Sequence, residues 1–236
     1  MARKKYFDLF VTVELQETFY NLISTERARK IKEEAPEGFV INMKAWQVLT
    51  HPKTSPTWRR LKNPPPGDPD MYGYLRPTEE NFKAWDKSME VARALGARVI
   101  VLQLPPSFSF SDERIRDLRE FFESVSLGGK TVALELRHES WKEGKRRLTF
   151  LYDELGIVDC VDLLKEPPQD AGPLVYTRLH GLNGINYRYK YKEEDLFELR
   201  ERVQTLLRRS KEVLVLFNNV YMAEDARRFK EIVMKS

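Results

Sequence analysis

The sequence predicts an α/β fold, a (β/α) barrel of parallel strands in one domain that spans residues 1–236. Short runs of β-branched and apolar residues alternate with longer charged segments of helical period, which is typical of a parallel sheet with crossover helices. A chain of 236 residues can bury one large core, and no repeat or low-complexity tract divides it. The chain's three histidines each end or closely follow a predicted strand, which indicates a polar site at the carboxyl edge of the sheet.

Seven strands are predicted from short apolar runs, and six helices from charged segments that repeat with helical period. The strands cover residues 9–16, 38–46, 97–105, 131–138, 156–163, 173–181 and 212–220. The helices cover residues 25–35, 78–95, 111–125, 144–155, 193–210 and 223–233. Ser111 has the side chain that an N-cap needs, and Gly96 stands where a helix C-cap should fall. A proline-rich segment takes the place of a helix after the fifth strand.

Residues 47–77 are the one long stretch without a strand or helix pattern. Three consecutive prolines followed by Gly67 can continue neither a helix nor a central strand. A loop of this length inside a compact α/β domain is usually functional or disordered. Because the stretch carries Trp58, Tyr72 and Tyr74, we predict an ordered lid over the strand ends.

The charge balance and the cysteine content restrict the partners and the location. The chain has 40 basic and 36 acidic residues, and the net charge of +4 permits a nucleic-acid or other anionic partner without requiring one. The single cysteine, Cys160, excludes an intrachain disulfide and suits a reducing cytosol, so we expect a cytoplasmic location. No apolar run approaches the ~18 residues of a membrane span, so no membrane partner is expected. The sequence predicts no particular oligomeric state.

Polar side chains recur at alternate positions near the ends of the predicted strands. Residues two apart on a strand share a face, and the opposite face of these strands is aliphatic. The polar set comprises Glu14, Lys44, Gln103, Glu135, Arg137, Arg178, His180 and Asn218, with His51 just past the second strand. Charged residues are almost never fully buried unless they are paired, so this many ionisable groups predict a ligand site at the barrel mouth.

Proton transfer is assigned to Glu135 and His180, the two predicted catalytic residues. Arg137, two residues beyond Glu135 on the same face, favours the ionised carboxylate. Arg178, two residues before His180, favours the neutral imidazole. The predicted substrate-binding residues are Glu14, Lys44, His51, Gln103, Arg137, Arg178 and Asn218. Among these residues the cations would clamp an anion, and the amides would orient it.

The sequence contains no motif that fixes a cofactor. CxxC and HExxH are absent, which excludes a zinc site built on Cys/His clustering, and neither GxGxxG nor a P-loop occurs. No residue is assigned as a metal ligand, and the cofactor stays open. A divalent Mg, Mn or Zn ion held by Glu14, Glu135 and His180 is compatible with the sequence but is not required.

Six segments, in order along the chain, resemble the YecE-like proteins, the domain of unknown function 72 family. They are VELQETFY (13–20), NMKAWQVLTH (42–51), LQLPPSF (102–108), ELRHESW (135–141), YTRLHG (176–181) and FNNVYMAEDA (217–226). The resemblance implies a TIM-like barrel and no assigned activity. Members of this family usually open with a Gly-Thr-x-Gly strand, which this sequence lacks. The barrel therefore appears in the sequence without its first strand, and we expect the native chain to begin upstream of Met1.

The functional prediction is an acid–base enzyme, a hydrolase or a lyase, that acts on an anionic substrate such as a phosphorylated or nucleic-acid-derived compound. The alternative is a protein without catalysis that binds nucleic acid or an anionic metabolite through the same cationic mouth. Tyr187, Tyr189 and Tyr191 bear on this choice, since their alternation suits either base stacking or a half-buried strand. His138 is expected to point away from the mouth because it alternates with Arg137.

Overall fold

A computed structural model describes residues 3–169 and 172–235 of the chain. The described residues pack as two compact units, of which the first ends at Ile157 and the second begins at Val158. Each unit has its own cluster of buried apolar side chains. The assignment of one domain to residues 1–236 stays a prediction.

The first unit contains four parallel strands, which pair with one another in chain order. They are β1 (Thr12–Leu15), β2 (Val40–Lys44), β3 (Val99–Gln103) and β4 (Thr131–Glu135). Its helices are α1 (Arg3–Leu9), α2 (Glu17–Tyr20), α3 (Thr25–Glu34), α4 (Gln47–Thr50), α5 (Glu79–Leu95), α6 (Asp112–Ser124) and α7 (Trp141–Glu154). Side chains on the aliphatic face of β3 and β4, such as Ile100 and Leu134, are fully buried in this unit's core.

The second unit contains three parallel strands, which also pair in chain order. They are β5 (Ile157–Val161), β6 (Leu174–Leu179) and β7 (Glu212–Phe217), and the helices are α8 (Glu193–Leu207) and α9 (Met222–Met234). Leu179 and Phe217 pack with Leu196, Leu199 and Phe229 of the two helices. The described residues between β5 and β6, 162–169 and 172–173, form no helix, as the proline-rich segment predicts. Residues 170 and 171 of that segment lie outside the described residues.

The predicted alternation of strands and helices is confirmed, because each of the seven strands found among the described residues lies within its predicted run. The predicted helix ends are also correct where capping chemistry sets them. The Ser111 hydroxyl accepts a hydrogen bond from the Arg114 amide at 3.2 Å, and Gly96 ends α5 with φ 61°.

Helix α1 is a feature that the sequence pattern did not predict. Its residues lack helical apolar period, but Tyr6 and Phe7 both pack against Phe39, with ring centroids 6.4 and 4.8 Å apart. The Tyr6 hydroxyl also donates a hydrogen bond to the Thr12 carbonyl at 3.1 Å. A helix of seven residues is marginal alone, so these tertiary contacts stabilise it.

Residues 47–77 are ordered and belong to the first unit. They contain α4 and two 3₁₀ turns, Pro56–Arg60 and Pro69–Met71. Tyr72 and Leu75 are buried in the unit's core, and the Tyr72 hydroxyl donates to the Pro66 carbonyl at 2.6 Å. The role of this segment as a lid stays a prediction.

No helix among residues 3–169 and 172–235 combines the length and the apolar character that a bilayer crossing needs.

Candidate functional site

The polar side chains of the first unit lie on one face of its sheet. Glu14 pairs in register with Asn42, Lys44 with Val101, and Gln103 with Glu135. Residues that pair in a parallel sheet point to the same side, and so do residues two apart on one strand. The register therefore carries Glu14, Lys44, Gln103 and Glu135 onto the face opposite the aliphatic one, with the last three at the carboxyl ends of their strands.

Glu135 and Arg137 form an ion pair at the end of β4. The guanidinium Nε of Arg137 donates to the carboxylate Oε1 of Glu135 at 2.6 Å, and both side chains are about nine-tenths buried, at 12% and 9% exposure. A hydrogen-bonded ion pair is the form in which a protein tolerates such buried charges. The contact places Arg137 beside Glu135, and the effect of Arg137 on the ionisation of Glu135 stays a prediction.

Lys44 ends β2 with its ammonium group against an aromatic ring. Its Nζ lies 3.5 Å from the centroid of Phe19, which is a cation–π contact. The ring is held in place because the Thr18 hydroxyl donates to the Lys44 carbonyl at 2.7 Å and so ties α2 to β2. Lys44 is 7% exposed, which fixes a positive charge at the strand end in a largely dry environment.

His51 follows α4 and is buried beside the same ring. Its imidazole meets Phe19 edge-on at 5.1 Å, and its Nδ1 shares a hydrogen bond of 2.8 Å with the Thr50 hydroxyl. Burial, and then the charges of Lys44 and Arg137, lower the pKa of His51 to about 3. The imidazole is therefore neutral at physiological pH and lies in a positive potential.

Gln103 and Glu14 complete the predicted residues of the first unit. Gln103 is buried at the end of β3 beside Glu135. Glu14 is half-buried, and its carboxylate accepts a hydrogen bond from the Gln16 side-chain amide. Burial, and then the charge of Glu14, raise the pKa of Tyr6 to about 12.

The second unit carries Arg178, His180 and Asn218. The register pairs Arg178 with Leu216, so Arg178 shares a face with Asn218, and its Nη2 donates to the Asn218 Oδ1 at 3.3 Å. His180 is 5% exposed, and its ring lies 6.0 Å from that of Tyr187 in an edge contact. Its backbone N–H donates to the Asp162 carboxylate at 3.1 Å, which fixes the end of β6.

The nine predicted site residues thus fall into two polar sets, which are described separately. The first unit's set comprises Glu14, Lys44, His51, Gln103, Glu135 and Arg137. The second unit's set comprises Arg178, His180 and Asn218. That all nine residues serve one substrate stays a prediction.

His138 has a local role. Its Nδ1 lies 2.8 Å from the Ser140 hydroxyl and accepts a hydrogen bond from the Ser140 amide at 3.2 Å. The Ser140 hydroxyl in turn accepts one from the Phe110 amide at 2.7 Å. The pair joins the loops that follow β3 and β4.

The three alternating tyrosines do not form a platform or a strand. Tyr187 is 47% exposed, whereas Tyr191 is 1% exposed and its hydroxyl accepts a hydrogen bond from the Gly181 amide at 2.7 Å. The Tyr189 hydroxyl donates to the Asp195 carboxylate at 2.7 Å. The chain turns between these residues, so period two in the sequence does not place them on one face.

Metal binding has no ready donor set in the part of the chain that the structure describes, since no group of three or more His, Cys, Asp or Glu side chains there could hold an ion.

Sequence reasoning missed the residues that hold His51 and Lys44 in place. Phe19 and Thr50 stood in recognisable segments, but their contacts with Lys44 and His51 depend on how α2 and α4 fold back onto β2. Asn81 carries no periodic signal, because its partners are backbone groups of the loop just before α5.

The fold and the polar strand ends define an α/β protein of the TIM-like (β/α)-barrel class with charged and amide side chains at the carboxyl ends of its strands. The chain belongs to the family described as "Protein of unknown function DUF72", whose model matches residues 3–236. The resemblance read from the six sequence segments is therefore confirmed.

Three known proteins illustrate the likeness. The UPF0759 protein YunF of Bacillus subtilis (strain 168) is 25% identical over 243 residues, which cover 91% of this chain and 79% of that protein. A DUF72 family protein from Thermotoga maritima MSB8, solved by crystallography, is 26% identical with a TM-score of 0.70 and covers 99% of this chain and 91% of its own. A xylose isomerase domain containing protein from Salmonella typhimurium LT2 is 18% identical, with a TM-score of 0.52 and coverage of 98% and 90%. These likenesses confirm the predicted fold class.

Proposed function

We propose that the first unit's polar set binds an anionic group and moves a proton on the bound molecule, which makes the protein an acid–base enzyme of the hydrolase or lyase type. The observation that carries this proposal is the environment of His51, an imidazole whose pKa is lowered by burial and then by the charges of Lys44 and Arg137. A buried site with positive potential attracts an anion, and its low dielectric strengthens that attraction.

Lys44 and Arg137 are the anion-binding groups in this proposal. Lys44 ends β2 and Arg137 follows β4, and β3 lies between these two strands. The charges of both residues lower the pKa of His51. A guanidinium can bind a carboxylate or phosphate in two-pronged fashion, while an ammonium acts as a point charge. Gln103, beside Glu135 in register, supplies an amide that can both donate and accept hydrogen bonds to orient the ligand.

Glu135 is the proposed base. While its carboxylate is hydrogen-bonded to Arg137, it is a weak proton acceptor, because the guanidinium stabilises the ionised form. A ligand anion that binds Arg137 competes with this contact, weakens it and so makes Glu135 a stronger base at the moment of binding. The sequence-based assignment of His180 as the other proton-transfer group, and of Arg178 and Asn218 as ligand-binding groups, stays a prediction.

Lys44→Met tests the anion-binding part. Inorganic phosphate, sugar phosphates and nucleotides are screened by thermal shift, since a ligand that binds the folded state raises the unfolding temperature. We expect affinity for the best anion to fall about tenfold in Lys44→Met, because a lost charged hydrogen bond is worth about 1.4 kcal/mol or more. Lys87→Met, which removes an exposed lysine of α5, is the matched control and should bind like the parent protein. If Lys44→Met and Lys87→Met bind the anion equally well, the proposal is wrong.

A non-catalytic anion-binding protein is the second candidate. The specific observation in its favour is that both carboxylates of the first set already accept hydrogen bonds, Glu135 from Arg137 and Glu14 from Gln16. Glu135→Gln separates the two functions. Retained anion binding with loss of turnover supports the enzyme, whereas binding with no product in either form, and an affinity that falls linearly with log salt, supports the binding protein.

A further inference from the structure

Three consecutive residues of the 47–77 segment have a left-handed backbone. Gly73 has φ 89°, Tyr74 has φ 59° and Leu75 has φ 52°. Positive φ is easy for glycine but unfavourable for residues with a side chain. Such outliers persist only where surrounding contacts enforce them, and they concentrate at functional sites.

The left-handed turn packs closely against the backbone of residues 49–52. The Tyr74 amide donates to the Thr50 carbonyl at 3.0 Å, and the Leu75 amide donates to the Leu49 carbonyl at 2.9 Å. A Cβ added at Gly73 would lie 2.6 Å from the Pro52 nitrogen and 2.8 Å from the His51 carbonyl carbon, so only glycine fits there.

Asn81, at the start of helix α5, forms hydrogen bonds with the same turn. Its side chain is fully buried, and its Oδ1 accepts a hydrogen bond from the Gly73 amide at 3.3 Å. Its Nδ2 donates to the carbonyls of Gly73 at 3.2 Å and Arg76 at 3.0 Å. One side chain thereby uses three hydrogen bonds to hold a turn that is strained by itself.

His51 is also fixed from its other side. Its carbonyl accepts a hydrogen bond from the Trp58 indole at 2.8 Å, and its Nδ1 is bonded to the Thr50 hydroxyl at 2.8 Å. The Thr50 hydroxyl has an alternative acceptor in the Gln47 carbonyl, but at 3.4 Å. Donation from Thr50 to Nδ1 leaves the proton of a neutral imidazole on Nε2, whereas donation in the opposite direction places it on Nδ1.

We propose that Asn81 and the left-handed turn 73–75 are a positioning device that holds His51 with its Nε2–H directed to an anionic oxygen of the ligand. This inference rests on the proposed anion binding, and it names the ligand group as a carboxylate or phosphate oxygen. A neutral imidazole that donates one hydrogen bond selects anions that place an oxygen in line with its N–H, whereas Lys44 and Arg137 attract any anion. The strain in the turn is maintained because the turn sets that orientation before the ligand arrives.

The tautomer of His51 tests the geometry without any ligand. Nitrogen-15 NMR of the imidazole should show the Nε2–H form in the parent protein and a mixture of tautomers in Asn81→Ala. The matched control is Asn21→Ala, which removes two hydrogen bonds to the same segment, with the Arg60 carbonyl and the Lys62 amide, and leaves the tautomer unchanged. An Nδ1–H form in the parent protein overturns the proposal.

A double-mutant cycle tests the link to binding, with inorganic phosphate as the probe. Asn81→Ala should weaken phosphate binding about fivefold, and the effect should vanish in the His51→Gln background. Equal weakening in both backgrounds overturns the positioning role. Should Asn81→Ala fail to fold, Asn81→Asp keeps the acceptor for the Gly73 amide and removes the two donated bonds. Absence of phosphate binding in the parent protein speaks against the proposed function, while the tautomer result still decides the positioning.

Discussion

The two compact units both bury charged side chains at their strand ends, and the described contacts of these side chains differ. In the first unit Arg137 meets the Glu135 carboxylate at 2.6 Å, and Lys44 meets the Phe19 ring at 3.5 Å. In the second unit the Arg178 guanidinium donates to the Asn218 side-chain oxygen at 3.3 Å, and Lys165 lies 3.0 Å from the Asp162 carboxylate. The proposed anion binding depends on the two cations of the first unit, which lie at or just past the carboxyl ends of their strands.

Two buried carboxylates of the second unit accept hydrogen bonds from backbone and side-chain amides besides their ion pairs with Lys165 and Arg228. Asp162 accepts hydrogen bonds from the amides of His180 at 3.1 Å and Leu164 at 3.2 Å. Asp225, fully buried, accepts one from the Asn219 side chain at 2.6 Å, and that side chain also donates to the Tyr189 carbonyl at 2.8 Å. Asp162 thereby holds the chain after β5 to the end of β6.

Arg137→Met should have the largest effect, because it leaves Glu135 buried without its guanidinium. Breaking a buried ion pair by removal of one partner costs about 3 kcal/mol or more. The free energy of unfolding, measured with urea, should fall by about that amount. Lys83→Met is the control, since its pair with Glu79 is exposed and should contribute almost nothing. A loss below about 1 kcal/mol in Arg137→Met would show that the first unit's charges are not held in the way the comparison requires.

The strands and the chemical character of their ends were predictable from the sequence, because both depend on short-range alternation. Lys44, Gln103 and Glu135 share a face simply through period two and parallel register. Partners that come from folded-back segments could not be found this way. Phe19 looks like an ordinary helix residue in the sequence, and only the return of α2 onto β2 brings it to Lys44, while Asn81 bonds to the backbone of a loop whose turn the sequence pattern does not show.

The sequence could not identify every residue of the site, because some of them act through tertiary contacts. Asp162 is one polar residue near the end of a predicted strand in the sequence, although it holds the end of β6 through the His180 amide. Gly73 appeared as one glycine in a loop, because the lack of space beside His51 is a tertiary property. Residues that act through contacts with a distant backbone produce no periodic pattern in a single sequence, so pattern analysis cannot find them.

The pH dependence of stability sharpens the comparison at His51. The unfolded imidazole takes up a proton near its ordinary pKa of 6.5, whereas the folded one has a pKa of about 3. Between these values the unfolded state binds more protons, so the free energy of unfolding falls as the pH drops through this window. At about 1.4 kcal/mol per pH unit, the loss is about 2 kcal/mol between pH 8 and pH 5.

The measurement is the difference between the parent protein and His51→Gln, unfolded with urea at several pH values. The variant should lack this part of the pH dependence, and the two curves should converge as the pH falls toward 5. Parallel curves would mean that His51 titrates normally when folded, and the positive potential assigned to the first unit would then be absent.

Lys165→Met should have the smallest effect, because its contacts in the second unit are partly solvated. The ammonium lies 3.0 Å from the Asp162 carboxylate and donates to the Gly184 carbonyl at 2.8 Å, but the side chain is 30% exposed. Water screens such a pair, so the free energy of unfolding should fall by about 0.5 kcal/mol. Hydrogen exchange should nevertheless quicken at the His180 and Leu164 amides, because both donate to the same carboxylate.

The control for this variant is Lys190→Met, whose partner Glu224 is exposed and touches neither amide. It should leave the exchange of both amides unchanged. If Lys165→Met lowered the free energy of unfolding as much as Arg137→Met, the ion pairs of the two units would contribute equally to stability. The distinction between a charge kept for a ligand and a charge used by a loop would then fail, since it depends on how completely each partner is removed from water.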